Sequence, residues 1–138
     1  MTILLHGFWG QPKDWNAILE KLPLSASVLL PDLYAPGELS PVHQLAEWSK
    51  NFWCWVDHVH GTDAIQLVGY SMGARLAVAA ACREPARVSR ALFLSGNPVL
   101  SPPDFPARLQ MEEEWSQKFL HLPWADLEQQ WEAGKRQH

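Results

Sequence analysis

Four short apolar runs punctuate the first 95 residues, and between them the apolar positions recur at helical spacing. TILL at 2–5 is continuous and ends in the turn-forming HGFWGQP, which predicts a parallel strand buried on both faces. SVLLPDL at 27–33 predicts a second short strand, stopped by Pro31 and followed by the loop YAPGELSP. AIQLV at 64–68 and RALFLS at 90–95 predict the third and fourth strands. A helix is expected over 13–22, with Pro12 near its start and Trp15, Ile18, Leu19 and Leu22 on one face. From Pro41 to about His60, Leu45, Trp48, Phe52, Trp55, Val56 and Val59 repeat every three or four residues, an amphipathic helix that Gly61 ends. MGARLAVAAACR at 72–83 predicts an alanine-rich helix.

Strands alternating with helices predict an α/β class fold, a mostly parallel sheet sandwiched by helices with right-handed crossovers. Residues 1–100 carry that pattern. After Ser95 it stops: GNPVLSPPDFPAR is rich in proline, and the remainder reads as helices broken at Pro123. Residues 101–138 are therefore expected to form a helical cap or lid segment.

Composition narrows the function classes. A chain of 138 residues has the size of one compact domain. Its net charge of −4 offers no basic footprint for nucleic acid or an anionic membrane. The N-terminal MTILLHGFWG lacks a basic leader, and its apolar run is far shorter than the roughly 18 residues of a membrane span. A cytoplasmic protein is expected. Cys54 and Cys82 lie in apolar helical stretches without metal-ligand spacing, so both are expected to be buried free thiols. The tryptophans at 48, 53, 55, 115, 124 and 131 are expected to pack in the core or cap, and Glu112 to Glu114 to form a solvated face.

The chemistry concentrates in GYSMG at 69–73, a GxSxG motif between the third strand and the alanine-rich helix. Gly69 and Gly73 permit a sharp strand-to-helix turn that lifts the hydroxyl of Ser71 above the carboxyl edge of the sheet. The helix start behind it directs free N–H groups and partial positive charge at the site. The plainer alternative is a structural turn whose serine caps the helix. LLHGFWG adds a second feature: His6 and Gly7 make a tight turn after the first strand, which aims the next amide inward. Phe8 N–H and Met72 N–H would then be the oxyanion donors. The His6 side chain is expected to satisfy loop carbonyls and hold that turn.

Taken together, LLHGFWG, LLPDL and LVGYSMGARLAV resemble the α/β-hydrolase superfamily over nearly the whole chain. More narrowly, HGFWG followed by DW, GYSMGAR, and GNPVL with ARLQMEEEWSQKF resemble the 2-succinyl-6-hydroxy-2,4-cyclohexadiene-1-carboxylate synthase family of menaquinone biosynthesis. That resemblance implies a serine that abstracts a proton from a carboxylated small molecule and expels pyruvate, with no metal and no organic cofactor. It also implies Ser71 as catalytic residue and Arg75 and Arg108 as binders of substrate carboxylates. Arg75 lies one helical turn beyond Ser71 and could overlook the same cleft, or it could be a surface or helix-pairing arginine. Tyr70 touches substrate or packs as an ordinary aromatic. A carboxylesterase or thioesterase would use the same serine covalently.

In this superfamily the acid and the histidine follow the serine in the chain. Here no further strand is predicted after 90–95, Asp104, Asp126 and His121 fall in the cap-like segment, and His43, His58 and His60 belong to the helix before the motif. Three expectations follow: a fragment of a longer enzyme truncated after the fourth strand, a short homologue completed by another chain, or a binding module without catalysis. The apolar edge of 90–95 would in any of these be open to association with a second copy.

Overall fold

The TILL run is an inner strand of a parallel sheet. The computed structural model describes residues 1–21, 27–35, 37, 39, 44–96 and 102–135. Strand β1, Thr2–Leu5, is buried at every position. On one side it pairs with β2, Val28–Leu29, and on the other with β3, Ile65–Tyr70; β4, Val88–Leu94, lies beyond β3. The order is β2-β1-β3-β4 and every pairing is parallel. A strand with neighbours on both edges and cover on both faces has no polar side, which is why β1 reads as an unbroken apolar run.

Two helices build the core on one face of the sheet. Helix α2, Leu45–His60, buries Trp48, Phe52, Trp53 and Val56; helix α3, Met72–Arg83, buries Ala74, Leu76, Ala77 and Ala80. All of these except Ala74 pack in one cluster with Ile3 and Leu5 of β1, Ile65 and Leu67 of β3, and Leu33 and Leu39. Trp48 stacks on Phe52 with ring centres 5.2 Å apart, and the Trp53 indole N–H donates to the Ala80 carbonyl at 2.9 Å. Alanines at 74, 77 and 80 put the smallest side chains on the sheet-facing stripe of α3, so its backbone can approach β3 closely.

Several expectations need correction. In place of a helix over 13–22, a 3₁₀ turn at Pro12–Trp15 leads into a single turn, α1, Asn16–Leu19. Among the described residues of its apolar stripe only Trp15 is buried, while Ile18 is 44 % exposed, and a stripe with one anchor has little tertiary packing to sustain a longer helix. Leu22, Pro41, His43, residues 97–101 and His138 lie outside the described residues. Strand β3 runs on to Tyr70, inside the GxSxG motif. Both cysteines are exposed. Cys54 is two residues from both Phe52 and Val56, and Cys82 two from Ala80; each step is about 200° round a helix, away from the core. The open edge expected at 90–95 is seen on β4, where Leu92 and Phe93 are 52 % and 43 % exposed, because β4 is the sheet border among the described residues.

Arg87 locks the far end of this layer. Its guanidinium donates to Asp57 Oδ1 and to the Gly61 carbonyl, each at 2.7 Å, and lies 4.5 Å from the centre of the Trp53 ring. Asp57 is half exposed, so the ion pair itself contributes modestly, and the carbonyl bond and ring contact add to it. Arg87→Ala is expected to lower the unfolding free energy by about 1–3 kcal/mol, read from a urea titration. Arg87→Lys should recover less than half, because an ammonium lacks the planar fork that reaches both oxygens from two nitrogens while lying over the ring.

The chain divides into two compact units, Met1–Pro98 and Val99–His138. The second contains α4, Phe105–His121, and α5, Trp124–Lys135, separated at Pro123. Trp115 and Trp131 meet edge to face at 4.9 Å, whereas Trp124 is 63 % exposed. Glu112, Glu113 and Glu114 are exposed and accept hydrogen bonds from Arg108, Gln117 and Gln110, each one turn away. No helix among the described residues is long and apolar enough to cross a membrane.

Candidate active site

Three non-glycine residues among those described have left-handed backbone: Trp9 (φ 61°), Ser71 (φ 54°) and Ser95 (φ 51°). Each follows the carboxyl end of a strand, after β1, β3 and β4 respectively. Side chains make this conformation costly, by about 1–3 kcal/mol, and a cluster of such positions along one sheet edge marks a place where function shapes the backbone. In open α/β sheets that edge is also where ligands bind.

Ser71 occupies the cap position of α3 with ψ −113°, outside the extended region that capping serines use, and its side chain makes no capping bond. Its own amide donates to the Leu94 carbonyl at 2.8 Å, and its carbonyl accepts from the Ala74 and Arg75 amides at 3.1 and 3.2 Å. The amides of Met72 and Gly73 thus stand at the helix start outside the helical ladder. Sterics dictate the flanking glycines. A side-chain carbon at Gly69 would run into the Gly73 carbonyl and lie 2.6 Å from the Ala74 backbone, and one at Gly73 would run into the Leu5 and His6 carbonyls. The Ser71 turn can therefore sit this tightly on β1 only with glycine at both places.

The second turn faces the first. A carbon added at Gly7 would lie 3.4 Å from Ser71 Cβ and 3.0 Å from the Tyr70 ring, so the chain at Gly7 passes directly beside the serine. Gly10 N–H donates to the Gly7 carbonyl at 3.0 Å, closing a four-residue turn with Phe8 second and left-handed Trp9 third, the type II pattern. Phe8 N–H, next to Gly7, and Met72 N–H, next to Ser71, are thereby brought to the same edge.

His6 is 2 % exposed. Its Nε2 accepts the Leu33 amide at 3.0 Å, which leaves the ring proton on Nδ1, 3.0 Å from the Gly7 carbonyl. In this neutral form its 3.8 Å approach to Asp32 is not an ion pair. The imidazole is committed to holding the β1 turn against the loop after β2, and it is not available to Ser71. His58 and His60 close α2, at the opposite, amino edge of β3. Among the described residues no side chain hydrogen-bonds to the Ser71 hydroxyl.

Of the remaining sequence candidates, Tyr70 is 50 % exposed beside Gly7. Arg75 is exposed one turn beyond Ser71 and borders a cavity of about 210 Å³ with Ala74, Val78, Phe93 and Gly96. Among the described residues its guanidinium has no partner. Arg108 lies on α4, and its Nε donates to Glu112 Oε1 at 2.6 Å. Sequence reasoning missed Tyr34. Its hydroxyl accepts the Trp9 amide at 3.0 Å and reaches Met72 Sδ at 3.8 Å, and its ring lies 5.5 Å from His6. A tyrosine in a loop carries no pattern that would announce such a bridge.

Known proteins resemble this chain in sequence and fold. The chain is 27% identical over 132 residues to the 2-succinyl-6-hydroxy-2,4-cyclohexadiene-1-carboxylate synthase of an Enterobacter species, covering 94% of this chain and 50% of the relative. It thus spans about half the length of that curated relative. An esterase from Thermogutta terrifontis, solved with malate bound, superposes with a TM-score of 0.64 at 26% identity, over 82% of this chain and 43% of the esterase. A thioesterase domain from the curacin biosynthetic pathway gives 0.52 at 26% identity, over 83% and 42%. The profile described as "Alpha/beta hydrolase family" matches residues 2–136, and with its parallel sheet and glycine-flanked serine turn the chain belongs to that family.

Proposed function

We propose that this chain supplies the serine, the oxyanion donors and one carboxylate-binding arginine of an enzyme that eliminates pyruvate from a carboxylated cyclohexene precursor. One observation carries the reading: Ser71 is held at φ 54° with its hydroxyl outside any capping bond, at the start of α3 and against the Gly7 turn. In this reading Ser71 takes a proton from carbon, the released electron pair forms a ring double bond, and pyruvate departs. Negative charge that develops on the substrate meets the Phe8 and Met72 amides. Arg75, exposed and without a partner among the described residues, receives a substrate carboxylate. Similarity to the Enterobacter synthase over 94% of the chain supports this choice of reaction.

The base that activates Ser71 and the acid that orients it come, in this proposal, from outside the described residues, since His6 is committed elsewhere. A serine esterase or thioesterase is the second reading, supported by the likeness to the Thermogutta esterase and the curacin thioesterase domain. Stopped-flow mixing with p-nitrophenyl acetate separates the two. The elimination reading expects turnover of the carboxylated cyclohexene precursor and no stoichiometric burst of nitrophenolate. A burst of one equivalent, lost in Ser71→Ala, would select the acylating hydrolase. Binding of the precursor with neither burst nor turnover would select a binding module.

A further inference from the structure

We propose that Tyr34 is a positioning residue for the oxyanion donors, tying the turn that carries Phe8 to the helix start that carries Met72. The inference rests on the assignment of those two amides in the reading above. Tyr34 reaches both turns with one oxygen: it accepts the Trp9 N–H at 3.0 Å and points its own proton at Met72 Sδ, 3.8 Å away. The Trp9 amide belongs to the central peptide of the Gly7–Gly10 turn. Fixing that peptide plane fixes the torsions beside Phe8, the residue whose N–H the reading above assigns as an oxyanion donor.

Trp9 holds φ 61° with a bulky side chain, a conformation that persists only where surrounding contacts enforce it. The Tyr34 hydroxyl is such a contact. The loop after β2 presents it through two anchors of its own. Tyr34 N–H donates to Asp32 Oδ1 at 2.9 Å, and the neighbouring Leu33 N–H donates to His6 Nε2 at 3.0 Å. His6 in turn faces the Gly7 carbonyl, so ring and hydroxyl clamp the two ends of one turn. Burial raises the Tyr34 pKa above its ordinary value; the Trp9 bond opposes this and the Asp32 charge adds to it. The phenol therefore keeps its proton at neutral pH and can accept and donate at once.

Tyr34→Phe in the protein keeps the ring on His6 and removes only the bridging oxygen. Amide exchange by NMR should then show Trp9 exchanging about tenfold faster, with the Phe8 resonance displaced. Phenylboronic acid gives the functional readout: its boron bonds to Ser71 Oγ, the serine proton passes to water, and the tetrahedral anion faces the two amides. Its affinity should fall about tenfold, and kcat on whichever substrate turns over should fall about equally with KM within twofold. If rates and the melting midpoint fall while boronate affinity stays at the wild-type value, the role is structural and the proposal is overturned. Unchanged Trp9 exchange overturns it as well. Ser71→Ala separates the levels: if that variant still binds boronate and turns over, the assignment of the serine has failed and the inference with it. If Ser71→Ala abolishes both and Tyr34→Phe changes neither, the Tyr34 inference alone fails.

Discussion

Ser71→Ala is expected to lower kcat by a factor on the order of 10³ or more, since groups that act as one catalytic unit lose most of their effect when one is removed. The fold should not change. Alanine keeps the Cβ, and the serine hydroxyl makes no capping bond to lose, so the unfolding free energy should shift by less than about 0.5 kcal/mol. Ser71→Gly is the informative companion. It removes the side chain that makes φ 54° costly, and it should be more stable than Ser71→Ala by about 1 kcal/mol while equally inactive. Denaturation of both variants beside a turnover assay provides the check. An alanine variant with near-normal kcat would remove Ser71 from the chemistry; a glycine variant no more stable than alanine would remove strain from the account of the turn.

Gly73→Ala should be the most destabilising single change in the sheet layer, by about 3 kcal/mol or more, toward the upper end for overpacked sites. The added methyl would meet the Leu5 and His6 carbonyls, which are backbone atoms at the end of β1 and cannot rotate aside as a side chain could. Relief requires α3 to lift from the sheet, which opens the Ala74, Ala77 and Ala80 contact. A fall in melting temperature of roughly 10 °C is expected by differential scanning calorimetry. Alanine at Gly134, where nothing lies within 4 Å, should leave the midpoint within error or raise it slightly. Equal behaviour of the two variants would show that Gly73 is not wedged against β1.

The sheet and its serine turn were legible because they are local. Periodicity 2 against 3.6, a glycine on either side of Ser71, and a histidine-glycine pair after β1 are features a few residues long. Helix α3 accordingly starts and stops where its alanine run does. Burial was harder to read where it depends on neighbours. RALFL has the composition of a buried strand, and only the lack of a further predicted strand announced its open edge; Leu92 and Phe93 are exposed because nothing among the described residues lies beyond β4. Apolar composition also suggested buried thiols at 54 and 82, although the angular positions of Phe52, Val56, Ala77 and Ala80 already turned both cysteines outward. The Tyr34 bridge was illegible altogether, since it joins residues 25 and 38 positions away through a single atom.

The bond from the Ser71 amide to the Leu94 carbonyl has a mechanical corollary. It fastens the main chain of Ser71 to β4, the border of the sheet among the described residues, so fraying there would slacken the serine before it disturbed the interior. Any polypeptide that zips onto that border would stiffen the Ser71 turn from a distance, without touching it.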